Sequence, residues 1–258
     1  MKQSQTPGGK RLRSLRHFYN KTQLDIELEA GLGIGYLQRL ELGRVKQPER
    51  ETIERILTAL NAHYIERRDL LELFGYVVDM PLPDDEAIQW AISVCHDELT
   101  SVQFPAYLLD CGHRLLYWNT QTSRLFDTSV ADHVSMLKLV FDASYHWMPK
   151  IKNEAEFLPA QIRALRYEMQ HFHNEDWYEA LIDDMLSCQT FRHYWQAESE
   201  KMIQIPARPL TPLELEVDQH ILSFRLISEP FVQDNRFRVI FYLPTDAQTI
   251  QQCLDWSQ

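Results

Sequence analysis

The sequence predicts a small all-α N-terminal domain followed by a larger α+β domain, an antiparallel sheet with helices. Three observations predict it. Helical signals dominate from Arg11 to about Phe74, broken only by short interruptions. A proline-rich acidic break follows, Met80-Pro81-Leu82-Pro83-Asp84-Asp85. Beyond it, strand-like runs stand at both ends of the remaining chain with helical periodicity between them. The expected division is residues 1–78, a linking segment over 79–86, and residues 87–258.

Residues 1–10 carry Pro7, Gly8 and Gly9 with little apolar content, and are expected to form a mobile arm. In the stretch Lys21–Gly43, Thr22 is placed to N-cap one helix, and Gly31 to end it in a left-handed conformation. Leu32 then fills a turn, and a second helix, opening at Gly33-Ile34-Gly35, carries Leu37 and Leu40 inward. Two short helices pinned by one apolar turn residue make a helix-turn-helix unit. The second helix must leave its other face exposed, and that face offers Gly35, Gln38 and Arg39. An arginine there suits a base edge, because a guanidinium pairs with both acceptors of guanine. An ion pair between Arg39 and Glu41 or a neighbouring acid, on a solvated face, is the alternative. The triple Gly31-x-Gly33-x-Gly35 does not make a dinucleotide-binding loop, for it lacks the preceding strand and the required glycine spacing.

The second domain opens with a helix over roughly Asp84–Thr100. Strands are expected over Ala106–Asp110 and Arg114–Trp118, joined at Cys111-Gly112-His113. Phe157, Ile162, Leu165 and Met169, then Leu181, Met185 and Leu186, recur at helical spacing. Pro206 to Pro212 interrupts that pattern. Leu213–Ser228 and Arg236–Leu243 alternate as antiparallel strands do, with a turn at Asp234-Asn235. Thr245, followed by Asp246, is the expected N-cap of a last helix reaching Trp256.

Charge is divided in the same way. The chain has a formal net charge of −11, yet residues 1–50 carry ten Lys or Arg against five Asp or Glu. Residues 79–258 carry thirteen against twenty-seven. A basic head is drawn to phosphate, while an acidic body avoids non-specific contact with it. Four isolated cysteines, Cys95, Cys111, Cys188 and Cys253, point to reduced thiols and a cytoplasmic protein. No apolar run reaches the length of a membrane span.

The segment from about Arg11 to Leu60 resembles the Xre family of lambda-repressor-like regulators. The resemblance rests on Thr22-Gln23, the Ala30-Gly31 turn, Tyr36-Leu37, Leu40-Glu41-x-Gly43, and Thr52-Ile53-x-x-Ile56-x-x-Ala59-Leu60. It implies that Gln23, Gly35, Gln38 and Arg39 face the major groove of double-stranded DNA, with Ile34 against a thymine methyl. Arg44 and Lys46 would hold phosphates and set the register. The sequence departs from the family where the second helix opens on glycines in place of polar residues. Heads of this kind act as homodimers on paired half-sites.

The second domain resembles the ligand-binding domain of MmyB-like regulators. The segments that carry this are Phe104–Asp110, Arg114–Asn119, Leu139–Asp142 through Trp147, Phe191-Arg192-x-x-Trp195, Leu222-x-Phe224 and Arg238–Leu243. The resemblance implies a PAS-like fold, with helices packed across one face of the sheet, and a sensor of a hydrophobic small molecule such as a fatty acid. Tyr107, Trp118, Phe126, Phe141, Tyr145, Trp147, Phe191, Trp195, Phe224 and Phe241 are the candidate lining of an apolar site. A solid core built of the same rings is the alternative. Arg166, Tyr145 and Tyr167 are candidate donors to a carboxylate head. Asn119, where a strand meets a helix, is placed to cap that helix.

Catalysis finds no support. His171-x-His173 with Glu175 and Asp176 resembles a metal cluster, but residues two apart on a helix point away from one another. No nucleophile elbow is present. No catalytic residue, metal or obligatory cofactor is therefore expected. The alternative to a sensor is a DNA-binding protein whose second domain only dimerises or recruits a protein partner.

Overall fold

Helix α1 (Pro7–Phe18) starts earlier than the glycines suggest. Thr6 caps it, its hydroxyl accepting from Gly9 N at 3.2 Å, and Pro7 occupies the first turn, where its missing N–H is no loss. Gly8 packs so closely on Phe74 that a Cβ would lie 2.7 Å from the ring. The expected arm is thus helical from Pro7 onward, because tertiary packing requires small residues there. The computed structural model describes residues 6–126, 134–169, 172–198 and 211–256. His171, the stretch 206–210 and part of the proposed arm lie outside the described residues.

The chain divides into two units, residues 1–79 and 80–258. In the first, α2 (Gln23–Glu29), α3 (Tyr36–Glu41), α4 (Arg50–Ala59) and α5 (Tyr64–Leu73) follow α1. One core joins them, built on Leu12, Ile26, Leu37, Leu40, Ile53, Ile56 and Leu70. Each element contributes apolar residues three or four apart, so one stripe per helix is buried.

The second unit opens with α6 (Asp85–Ser101), then β1 (Ala106–Asp110), β2 (Leu115–Trp118) and α7 (Thr120–Phe126). Helices α8 (Met136–Phe141), α9 (Glu154–Met169), α10 (Asp176–Leu186) and α11 (Gln189–Ala197) come next. They precede β3 (Leu213–Val217), β4 (His220–Pro230), β5 (Phe237–Pro244) and α12 (Ala247–Asp255). The run Leu213–Ser228 therefore holds two strands. They turn at Asp218 and Gln219, both at positive φ. The last cap is Asp246, not Thr245: its carboxylate accepts from Thr249 N at 2.8 Å. Thr245 instead donates its hydroxyl to Ser223.

The sheet is antiparallel in the order β2-β1-β5-β4-β3. Strand alternation sorts its side chains into two cores. Tyr107, Leu109, Leu213, Phe224, Ile240 and Tyr242 meet the helices α7–α11 and Cys253 of α12. Ala106, Leu108, Phe237, Val239 and Phe241 meet Ile88, Ala91, Cys95 and Leu99 of α6. Helices thus cover both faces, not one. The proline-rich segment is tied to this unit: Met80 N donates to Glu175 at 2.6 Å, and Trp177 Nε1 to Met80 O at 3.0 Å. Arg114 Nη2 reaches Pro83 O at 3.0 Å.

Candidate functional site

The helix-turn-helix is built around two buried carboxylates. Thr22 and Asp25 cap α2 reciprocally, and Gly31 leaves it at φ +61°. The chain then passes Leu32 into the core and reaches Gly35 at φ +81°, which is the N-cap of α3 and not an interior position. The glycine opening thus costs no helix propensity, and Gly35 supplies a conformation that few other residues adopt. In place of a local cap, Glu27 of α2, only 3% exposed, accepts from Gly35 N at 3.0 Å and Leu37 N at 2.8 Å. This fixes α3 against α2.

Glu41, at the end of α3, is equally buried. Arg16 of α1 grips both its oxygens at 2.6 and 3.1 Å, and Gln23 Nε2 donates to it at 2.8 Å. Arg39 consequently does not pair with Glu41. It is exposed, with its guanidinium 5.7 Å from the Tyr36 ring centre. Gln38, Arg44 and Lys46 are exposed as well, and Ile34 is 84% exposed. Gln23 lines a cleft of about 480 Å³ with Gln38, Arg13, Arg16, Asn20 and Lys21. One N–H of its amide is committed to Glu41, which leaves the second N–H and the oxygen for another partner. Sequence reasoning missed Arg13, Arg16, Asn20 and Lys21. The signal for Arg16 was its place one turn after Leu12 and beside Leu15, on a stripe that must be buried.

In the second unit the ten candidate aromatics part company. Tyr107, Phe126, Phe141, Trp147, Phe191 and Phe224 belong to the core between sheet and helices, with Trp118, Tyr145 and Trp195 packed against it. Phe241 faces α6 on the other side of the sheet and cannot line the same site. The members touch ring to ring: Phe126 and Trp147 are 5.2 Å apart, as are Phe141 and Phe191. Of the candidate head-group donors, Tyr167 is 52% exposed. Arg166 lies over the Trp195 ring at 4.5 Å and donates to Trp195 O. Asn119 acts as the cap the sequence suggested, its Oδ1 accepting from Thr122 N at 3.0 Å.

A polar group that sequence reasoning did not single out sits at the β1–β2 turn. Arg238 of β5 pairs with Glu168 of α9, and its Nη2 lies 3.0 Å from His113 Nε2. Burial, then the Arg238 charge, holds the His113 imidazole well below its usual pKa, so the ring stays neutral. Burial also lowers Arg238 to about 10. Asp110, fully buried, bonds Arg114, yet desolvation still raises its carboxyl.

Among the described residues no His, Cys, Asp or Glu cluster could hold a metal, and no helix is long and apolar enough to cross a membrane. Comparison with curated proteins returned no match. Family models do match. One described as a helix-turn-helix domain covers residues 9–79, and one described as the MmyB-like transcription regulator ligand binding domain covers residues 97–251. The second spans more than half the chain. The chain belongs to the MmyB-like transcription regulators, DNA-binding proteins in which an Xre-like helix-turn-helix domain precedes a ligand-binding domain.

Proposed function

We propose that the chain is a cytoplasmic, non-enzymatic, homodimeric one-component switch, in which an apolar small molecule in a PAS-like second domain alters the spacing of paired heads on DNA. The ligand class that fits best is a fatty acid. The observation that carries the reading is the joining of a head with an exposed α3 to a matched ligand-binding domain whose core is lined by aromatic rings. Magnitudes favour a long chain. Each buried methylene contributes about 0.8 kcal/mol, against an association cost of about 4–15 kcal/mol. A short acid gains too little to bind.

On the DNA side, Arg39 is the base-reading residue, with Gln38, Gly35 and Ile34 beside it in the groove. Gln23 supports them, while Arg44 and Lys46 hold phosphates. Arg39→Ala is expected to cost about 1–3 kcal/mol on the natural operator and to relax base choice at one position. Lys46→Ala is expected to weaken all sequences alike and to flatten the salt dependence. Unchanged operator affinity in Arg39→Ala would sink the assignment.

The ligand is tested by mass spectrometry of an organic extract of the purified protein. A long-chain acid in near-stoichiometric amount is the expected result. The direct ring contacts in the core favour a second reading, in which this domain only dimerises or recruits a partner. That reading takes over if the extract holds no lipid and long-chain acids leave the melting temperature unmoved.

A further inference from the structure

The core of the second unit contains polar atoms that an apolar lining does not need. Five rings meet on the side of the sheet that faces α7–α11: Tyr107, Phe126, Trp147, Phe224 and Tyr242. Phe126 stands among them, 5.2 Å from Trp147, 6.2 Å from Tyr107 and 6.3 Å from Tyr242. The two tyrosine hydroxyls lie 3.2 Å apart. One must donate to the other, which leaves the second hydroxyl proton for another acceptor. Trp147 is 3% exposed, and its indole Nε1–H meets no acceptor. A buried indole N–H nearly always finds a partner, so this one calls for a reason.

Among the described residues, Arg238 is a cation of this face. Alternation along β5 places it on the same side as Ile240 and Tyr242, and it pairs across the ladder with Leu109, two residues from Tyr107. Its charge opposes the rise that burial imposes on the Tyr107 phenol. The side chain is held by Glu168, a carboxylate already in the position of an anionic partner. Neutral His113 adds no competing charge.

We propose that the ring cluster around Phe126 is the subsite for the ligand's polar head, an anionic oxygen-bearing group on an apolar body. Trp147 Nε1–H and the Tyr107–Tyr242 hydroxyl pair are its donors, and Arg238 is its nearby cation. This rests on the reading that the second domain binds an apolar ligand, and it replaces Arg166, Tyr145 and Tyr167 as the head-group residues. The ring of Phe126 fills the place between the donors, so the head enters as that ring turns aside.

The test uses the full chain with dodecanoate and dodecanol, both below micellar concentration, and reads affinity by calorimetry. The two probes share a tail and differ in the head. Wild type is expected to prefer dodecanoate. Trp147→Phe keeps the ring and removes only the N–H, and is expected to weaken dodecanoate by about tenfold or more, the scale of a hydrogen bond to a charged group. Dodecanol affinity, which also reports that the core is intact, should change much less. Tyr242→Phe is expected to act in the same direction and serves if Trp147→Phe does not fold. Dodecanoate affinities equal to wild type in both variants would overturn this subsite while leaving the apolar-ligand reading standing. Failure of wild type to bind either probe would overturn both.

Discussion

Replacing Arg16 with Met is expected to destabilise the head by about 3–5 kcal/mol, because it strands the Glu41 carboxylate in the core with its charge uncompensated. Arg16 is 8% exposed and Glu41 3% exposed, and the pair is bidentate. Gln23 alone remains to satisfy the acid, and an amide N–H cannot neutralise it. The same guanidinium donates to Lys21 O, so one side chain ties α1, the α1–α2 turn and the end of α3 together. All six tryptophans lie beyond residue 79. A loss of helical circular dichroism that precedes any change in tryptophan fluorescence therefore reports the head alone. The double variant Arg16→Met with Glu41→Leu should recover most of the loss, since removing both charges leaves nothing unpaired. A single variant that melts within about 1 kcal/mol of wild type would show that the pair does not hold the head.

The outlines of this fold are legible in the residues because local signals agree with tertiary needs. Thr22 at the start of α2 and Gly31 at its end announce their helix in sequence and behave so in space, with Asp25 completing the cap. The strand Ala106–Asp110 has the bounds its composition implies. What misleads is what depends on distant partners. Gly8 and Gly9 look like an arm, yet they are small because Phe74 and the carbonyl of Leu40 press on them. Glu27 looks like a surface acid, yet it caps a helix eight residues away.

The candidate site is less legible for a related reason. The period of two along β5 separates Phe241 from Tyr242, and that much the sequence carries. It does not carry which face meets α7–α11 and which meets α6, because both faces are apolar. Arg238 suffers most from this. A charged residue between Phe237 and Val239 suggests a solvated face, but α9 covers it and supplies Glu168 as partner. Helical periodicity likewise does not carry the surroundings of the candidate donors Arg166 and Tyr167: Arg166 is engaged by Trp195, and Tyr167 faces water.

Phe126→Ala is expected to cost the second domain about 3–5 kcal/mol, the range for deleting a buried aromatic ring. Phe126 is 1% exposed and contacts Tyr107, Trp147 and Tyr242, so its loss leaves a void against three other rings. Trp147 borders that void, so the unfolding transition is read in tryptophan fluorescence, where the head is silent. An ordinary core position would stay damaged whatever is added. Here the void coincides with the place assigned to the ligand head, and ligand that binds only the folded state restores stability by mass action. At a free concentration a hundred times the dissociation constant the recovery is about 2.7 kcal/mol. Dodecanoate should therefore raise the melting temperature of Phe126→Ala more than that of wild type, where the ring must first be displaced. A full loss of 3–5 kcal/mol that dodecanoate leaves untouched would mean that the rings form a solid core and nothing else. The regulator would then answer to a partner protein, not to a lipid.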